Sequence, residues 1–325
     1  VLLHYPILKA FQKAFPKGVV NTVYGRGVNV AGPLVQSGKV DCLAFIGTSR
    51  AADTLKHQHP KPHRFRCILG LEAKNPAIVL EDADLELAVR ETILGALTFN
   101  GQRCTALKIL YVHRSILEEF NARLCAGIQA LKFGLPWEAG VQITPLPEDT
   151  KPAYLTELIQ DAVSHGAQVI NAHGGEVRES FVYPAVLYPV NAQMKIYHEE
   201  QFGPVIPIVA FDEIQEPLQY IINSNYGQQA SIFGSDPQII ATLVDQLVNQ
   251  VCRVNINSQC QRGPDTFPFN GRKDSAEGTL SVTDALRAFT IRTVVAAKEN
   301  ELNKGILKTI LKEDLSNFIS TDFIL

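Results

Sequence analysis

The chain has six cysteines, at positions 42, 67, 104, 125, 252 and 260, and one of them stands where a thiol can do chemistry. Cys104 lies in FNGQRCTALK (99–108), a polar stretch hinged on Gly101. A nucleophilic cysteine needs a lowered pKa and access to substrate, and nearby cations and backbone N–H groups supply the first. Arg103 is the adjacent cation, and Gly101 allows the backbone to close on a ligand. Cys42 and Cys252 lie in apolar runs and read as buried small hydrophobes, a description that Cys104 fits least.

Three further stretches carry groups that could serve such a nucleophile. GLEAK holds Glu72, which reads either as a general base within reach of a water or as the partner of Lys74 in a surface ion pair. LAFIGTSRAAD brings a β-rich run to a glycine turn, with Gly47 and Thr48 where a helix begins. Unpaired N–H groups at a helix start bind phosphates, although such turns recur throughout α/β folds and Ser49 reads equally as an N-cap. YHEEQFGPV (197–205) sets Glu200 and Phe202 before Gly-Pro. An acid there can accept from ribose hydroxyls and a ring can pack on a flat ring; the alternative is a solvated turn.

These stretches need elements to position them. VVNTVYG (19–25), DCLAFIG (41–47), PAIVLED (76–82) and KILYVH (108–113) read as strands. PILKAFQKAF (6–15), AGPLVQSG (31–38), SRAADTLKHQ (49–58) and LELAVRETILGALTF (85–99) read as the helices between them. Asp82 or Asp84 supplies the N-cap of the last. Further on, 115–132, 154–165 and 237–250 read as helices, and 204–211 and 252–257 as strands. Such alternation predicts an α/β fold with parallel sheets covered on both faces. A length of 325 residues, 46% hydrophobic and 19% charged, suffices for two domains. A net charge of −3, with no long basic run, argues against a nucleic-acid or membrane-surface binder. No apolar stretch is long enough for a transmembrane helix. Scattered cysteines predict free thiols in a reducing, cytoplasmic setting, and no spacing suggests a metal site.

Taken in order and spacing, these motifs resemble the aldehyde dehydrogenase superfamily from about residue 1 to about 298. FNGQRCTALK is similar to its cysteine motif, HEEQFGPV to its nicotinamide-ribose motif, and LAFIGTSRAAD to its cofactor strand–turn–helix. Within the superfamily, GQRCTALK and NINSQCQRGPDTFPFNGRKDS (255–275) most resemble the NADP-dependent, non-phosphorylating glyceraldehyde-phosphate branch. The resemblance implies that Cys104 attacks an aldehyde, that hydride passes to NADP or NAD, and that water releases the acid from a thioester. It implies that Glu200 and Phe202 position the nicotinamide ribose and ring, and that Gly47 and Thr48 lie beside the cofactor phosphates. It makes the Cys104 N–H an oxyanion donor and Arg103 and Arg262 candidates for a substrate phosphate. It also implies a homo-oligomer, a dimer or tetramer.

Two departures from the family pattern stand out. The family's glutamate lies four residues before its lysine; here that place is Gly70, and Glu72 lies two positions later. Alternate residues of an extended segment share a face, so Glu72 is the candidate general base. Without a base, the thioester could persist or pass to a thiol acceptor. The second departure is the absence of the segment that precedes the match in the family. With Val1 first and Met194 the only methionine, a fragment of a longer protein is expected, one that binds NADP poorly and aggregates when isolated. The alternative is a truncated, non-catalytic relative acting as a structural or partner subunit. The expected domains are the C-terminal part of a nucleotide-binding domain (1–72), a catalytic domain (73–272) and a return segment (273–298). FTIRTVVAA (289–297) is the candidate oligomerisation strand, and the tail (299–325) carries no assigned role.

Overall fold

The computed structural model describes residues 4–291 and 293–319. Helices α1 (Tyr5–Ala14) and α2 (Gly27–Gln36) lead into strand β1 (Cys42–Ile46), helix α3 (Ser49–Gln58) and strand β2 (Arg66–Gly70). A second succession follows: β3 (Asn75–Val79), α4 (Leu85–Leu97), β4 (Leu107–His113), α5 (Leu117–Gln129), α6 (Lys151–Ser164) and β5 (Gln168–Val169). The hairpin β6 (Val177–Arg178) and β7 (Phe181–Val182) precedes β8 (Ala185–Tyr188), the short α7 (Lys195–His198), β9 (Val205–Phe211) and α8 (Gln215–Asn223). Then come β10 (Tyr226–Gly227), β11 (Gln229–Phe233), α9 (Pro237–Leu247), β12 (Arg253–Ile256), β13 (Arg272–Lys273), β14 (Ala276–Glu277) and α10 (Val282–Ala288). Helix α11 (Glu301–Lys312) lies in the tail.

The fold is α/β. A small sheet runs in the order β1-β2-β14, with β1 and β2 parallel and β14 antiparallel to β2. A large seven-stranded sheet runs β12-β11-β3-β4-β9-β8-β5 and is parallel except for β5 at its edge. The expected boundary at 72/73 falls between the last residue of β2 and the first of β3, where one sheet gives way to the other.

The large sheet is apolar on both faces, as a parallel sheet between helices must be. Ala77, Val79, Leu110 and Val112 face the core shared with α4 and α5. Ile78, Ile109 and Tyr111 face the opposite core, with α8 and α9. The alternation along β3 and β4 is the period-two geometry of strands applied to two apolar layers.

Residues Val1–Ala288 form one compact unit and Phe289–Leu325 another. In the second, Asn300 caps α11 by accepting from the Asn303 N–H at 2.8 Å. No helix among the described residues is long and apolar enough to cross a membrane.

Two expected strands differ in the structure. VVNTVYG pairs with no strand among the described residues, and Val19, Val20, Val23 and Tyr24 are exposed. β-branched composition supports a strand only where a neighbour takes its hydrogen bonds, and this run has none. The described residues of FTIRTVVAA likewise form no strand, and Phe289, Ile291, Val294 and Val295 are exposed.

Because β4 lies inside the large sheet, truncating Leu110, which is fully buried, should be expensive. Leu110→Ala should lower the unfolding free energy by about 2–5 kcal/mol. Val28→Ala, at a position 76% exposed, should stay within about 0.5 kcal/mol. Urea denaturation midpoints at unchanged slope check both.

Candidate active site

Three neighbouring parallel strands, β3, β4 and β9, begin side by side, and the candidate residues sit just ahead of each. The connection Leu71–Lys74 enters β3, the Cys104 turn enters β4, and Glu199–Pro204 enters β9. The same short connection leaves the C-terminal end of β2. The far ends of the small sheet and the near ends of the large one therefore meet there.

The nucleophile turn is shaped by α4. Asp84, not Asp82, caps that helix by accepting from the Leu87 N–H at 3.0 Å. Asp82 instead accepts from the N–H and hydroxyl of Ser235 and the N–H of Asp236. After α4 the chain passes through three consecutive left-handed residues: Phe99 (φ 56°), Asn100 (φ 58°) and Gly101 (φ 70°). A Cβ on Gly101 would stand 2.6 Å from the Ala96 carbonyl oxygen and 2.7 Å from that of Gly203, so only glycine fits. The two other residues are held by their surroundings, as backbone strain requires. The buried Asn100 exchanges hydrogen bonds with Thr144, donating to its hydroxyl at 3.0 Å and accepting from its N–H at 2.9 Å. Gln102 donates to Glu148 at 2.8 Å.

Cys104 follows, half-buried, with its carbonyl pinned twice. Asn75 Nδ2 donates to it at 2.7 Å and Lys108 Nζ at 2.9 Å. Asn75 also donates to the Ala106 carbonyl at 3.0 Å and accepts from the Gln229 N–H at 3.0 Å. One buried side chain at the start of β3 thus ties that strand to the β4 turn and to β11.

Lys108 and Glu200 form a buried ion pair at 2.9 Å. Glu200 Oε1 also accepts the Ala73 N–H at 3.0 Å, and Oε2 has no hydrogen bond among the described residues. Lys74, buried alongside, donates to the Glu199 carbonyl at 2.7 Å and to Gln201 Oε1 at 2.6 Å. Burial, then the neighbouring charge of Lys108, holds the Lys74 ammonium well below the usual lysine range. Phe202 is again left-handed (φ 43°), and Lys151 Nζ lies 5.6 Å from its ring centroid. Burial, partly offset by Glu148 and Glu200, lowers the Lys151 pKa.

Glu72 is engaged by helix α3. Its Oε2 accepts from the Ser49 N–H at 2.8 Å and from the Ser49 hydroxyl at 2.7 Å. The carboxylate therefore caps the first turn of α3, where the helix's partial positive charge favours it. Thr48 caps the same helix, accepting from the Ala51 N–H at 3.2 Å. Gly47 ends β1 with its N–H on the Gly70 carbonyl at 3.1 Å, packed so tightly on the Phe45 ring that a Cβ would meet it at 2.5 Å. The strand–turn–helix read from LAFIGTSRAAD is present; its first-turn donors at Ser49 and Ala51 are satisfied by the chain's own oxygens.

Arg103 is half-buried, and burial lowers its pKa. Its Nε has no hydrogen-bond partner; Nη2 donates to Gln259 at 3.4 Å, and the guanidinium lies 5.8 Å from the Phe99 ring centroid. Arg103 thus leans on the segment that carries Arg262. The exposed Arg262 lies 5.1 Å from the Phe269 ring centroid and 4.0 Å from Asp265.

Sequence reasoning passed over Lys108 and Asn75, and it read Ser49 only as an N-cap, the place that Thr48 takes. The signal for Lys108 was there: a lysine opening an apolar strand, KILYV, either ends the run or points inward to a partner.

Residues 1–295 match the family model described as aldehyde dehydrogenase family. The chain is 34% identical over 286 residues to the NADP-dependent glyceraldehyde-3-phosphate dehydrogenase of Streptococcus equinus, covering 87% of this chain and 58% of that one. It is 36% identical over 222 residues to the lactaldehyde dehydrogenase of Escherichia coli K12, covering 67% and 46%. Among solved structures it resembles the NADP complex of glyceraldehyde-3-phosphate dehydrogenase from Bacillus halodurans C-125. The TM-score is 0.82 at 32% identity, over 87% of this chain and 58% of that one. The chain thus spans about half the length of the curated relatives it matches.

The thiols differ in environment. Burial pushes those of Cys67, Cys125, Cys252 and Cys260 up, the last to about 11. A raised pKa leaves less thiolate at neutral pH. With limiting iodoacetamide at pH 7.5, peptide mass mapping should find Cys104 labelled before these four.

Proposed function

The chain belongs to the aldehyde dehydrogenase family, and from that premise we propose that it oxidises an aldehyde to the carboxylic acid through Cys104. The observation that carries this reading is the nucleophile turn itself. Three left-handed residues seat the thiol's backbone against the Glu200–Phe202 loop, with Gly101 and Gly203 in contact.

The thiolate of Cys104 adds to the aldehyde carbon, and its own N–H faces the oxygen as charge develops there. When bound, NADP (NAD is the other candidate) supplies the hydride acceptor. Glu200 Oε2 fits a ribose hydroxyl, and Phe202 offers a ring beside it. At the phosphate end, the fit depends on Glu72 leaving Ser49, because that carboxylate holds the first-turn donor. Water then releases the acid from the Cys104 thioester, with Glu72 the candidate to activate it once it has turned from α3. Arg103, with an unpaired Nε, and Arg262 suit the phosphate of a substrate such as glyceraldehyde 3-phosphate. The apolar run 289–297 suits pairing with a second copy in a dimer or tetramer. The division at 72/73 separates the nucleotide turn from the thiol.

A second reading, a non-catalytic relative serving as a partner subunit, is favoured by one observation. Glycine stands at the family's base position, and the nearest carboxylate caps a helix. Aldehyde-dependent NADPH formation by the native protein separates the two. It should be present and fall more than about a thousandfold in Cys104→Ser; absence in the native protein leaves the partner role.

Glu72→Gln removes a charge from the phosphate turn, so NADP affinity should rise about two- to fivefold, read by fluorescence titration. If Glu72 also activates water, the same variant retains an acyl adduct on Cys104, visible by intact mass. Unchanged hydrolysis assigns Glu72 to α3 alone.

A further inference from the structure

We infer that Lys108 is a positioning residue for the oxyanion donor at Cys104, acting through the peptide group that joins Arg103 to Cys104. The inference rests on the reading of Cys104 as the nucleophile. It concerns a lysine that the mechanism above does not use.

Lys108 is 1% exposed. Its Nζ donates to the Arg103 carbonyl at 2.8 Å and to the Cys104 carbonyl at 2.9 Å, and pairs with Glu200 Oε1 at 2.9 Å. Three protons meet three acceptors, so the ammonium is fully used and held in one place. The Arg103 carbonyl and the Cys104 N–H belong to one planar peptide group. Fixing the oxygen therefore fixes the direction of the N–H. The oxygen accepts a second time, from the Ala106 N–H at 3.1 Å. The Cys104 N–H itself donates to no acceptor among the described residues, which leaves it for a ligand.

The charge matters as well as the geometry. A cation on a carbonyl oxygen draws density from the amide nitrogen, so the N–H becomes a stronger donor, as in hydrogen-bond chains that polarise one another. Glu200 makes this placement tolerable, because an unpaired ammonium so deeply buried would be costly. Lys108 thus joins the loop that enters β9 to an amide whose donor strength bears on the tetrahedral intermediate.

The test compares two reactions of the same sulfur. With p-nitrophenyl acetate, the thiolate attacks the carbonyl, an S–C bond forms, an oxyanion develops, and the C–O bond breaks to release p-nitrophenolate. With iodoacetamide, an S–C bond forms and iodide leaves, with no oxyanion. Neither reaction needs NADP. Lys108→Met should slow acylation of the native chain at least about tenfold, a part of the 10²–10³ that a whole donor supplies. Alkylation should change by less than about threefold. Lys108→Met/Glu200→Gln, which leaves no lone buried carboxylate, should behave alike, and it decides the matter if the single variant melts below the assay temperature. A parallel fall in both reactions makes Lys108 merely structural and overturns the proposal, as does unchanged acylation. Acylation that persists in Cys104→Ser sinks the reading of Cys104 itself, and this proposal with it.

Discussion

The nucleophile turn and the loop before β9 meet backbone to backbone at Gly101 and Gly203, and the candidate site depends on that contact. A side chain on Gly101 would have to occupy the place of the Gly203 carbonyl oxygen. The approach is close enough to bring Cys104 beside Glu200 and Phe202. It also forces Phe99 and Asn100 into a backbone region that they adopt only under constraint. The constraint comes from below. Strands β3, β4 and β9 are adjacent and parallel, so the loops that enter them crowd one edge of the sheet.

Polar side chains turn that crowding into a defined geometry. Asn75 satisfies two carbonyls of the β4 turn and one N–H of β11. Lys74 and Lys108 reach the loop before β9 by different routes, one through the Glu199 carbonyl and Gln201, the other through the Glu200 carboxylate. Two buried ammonium groups thus stand side by side, and the Glu200 carboxylate pairs directly with Lys108. Burial first, then the charge of Lys108, depresses the Lys74 pKa more than Glu200 and Glu199 raise it.

Much of this was legible in the sequence, and the failures have physical causes. The strand–helix alternation gave the α/β class because apolar runs buried on both faces leave an unmistakable pattern. Cys104 stood out because glycine and polar neighbours mark a turn. The bond from Glu72 to Ser49 was not legible because extended spacing fixes a face only while the segment stays a strand, and the chain leaves β2 at Gly70. Which way Glu72 then turns is decided by α3, whose first turn lies across the sheet edge and attracts a carboxylate. VVNTVYG misled because strand propensity says nothing about whether a partner strand exists. Lys108 was missed because a lysine is assigned to the surface by default, and only the fold reveals three acceptors converging on its ammonium.

The connection Leu71–Lys74 carries one more consequence. Within four residues it places Glu72 on Ser49, Ala73 on Glu200 and Lys74 on Gln201. The first bond reaches the first turn of α3 and the other two reach the loop before β9, and successive residues supply them in turn. The segment therefore acts as a ruler whose unit is one residue. Substitution at any one position breaks one bond, whereas insertion or deletion of a single residue shifts the phase of all of them together. Length variation over evolutionary time should accumulate in surface stretches such as 135–140 and be purged between β2 and β3, even where the side chains themselves drift.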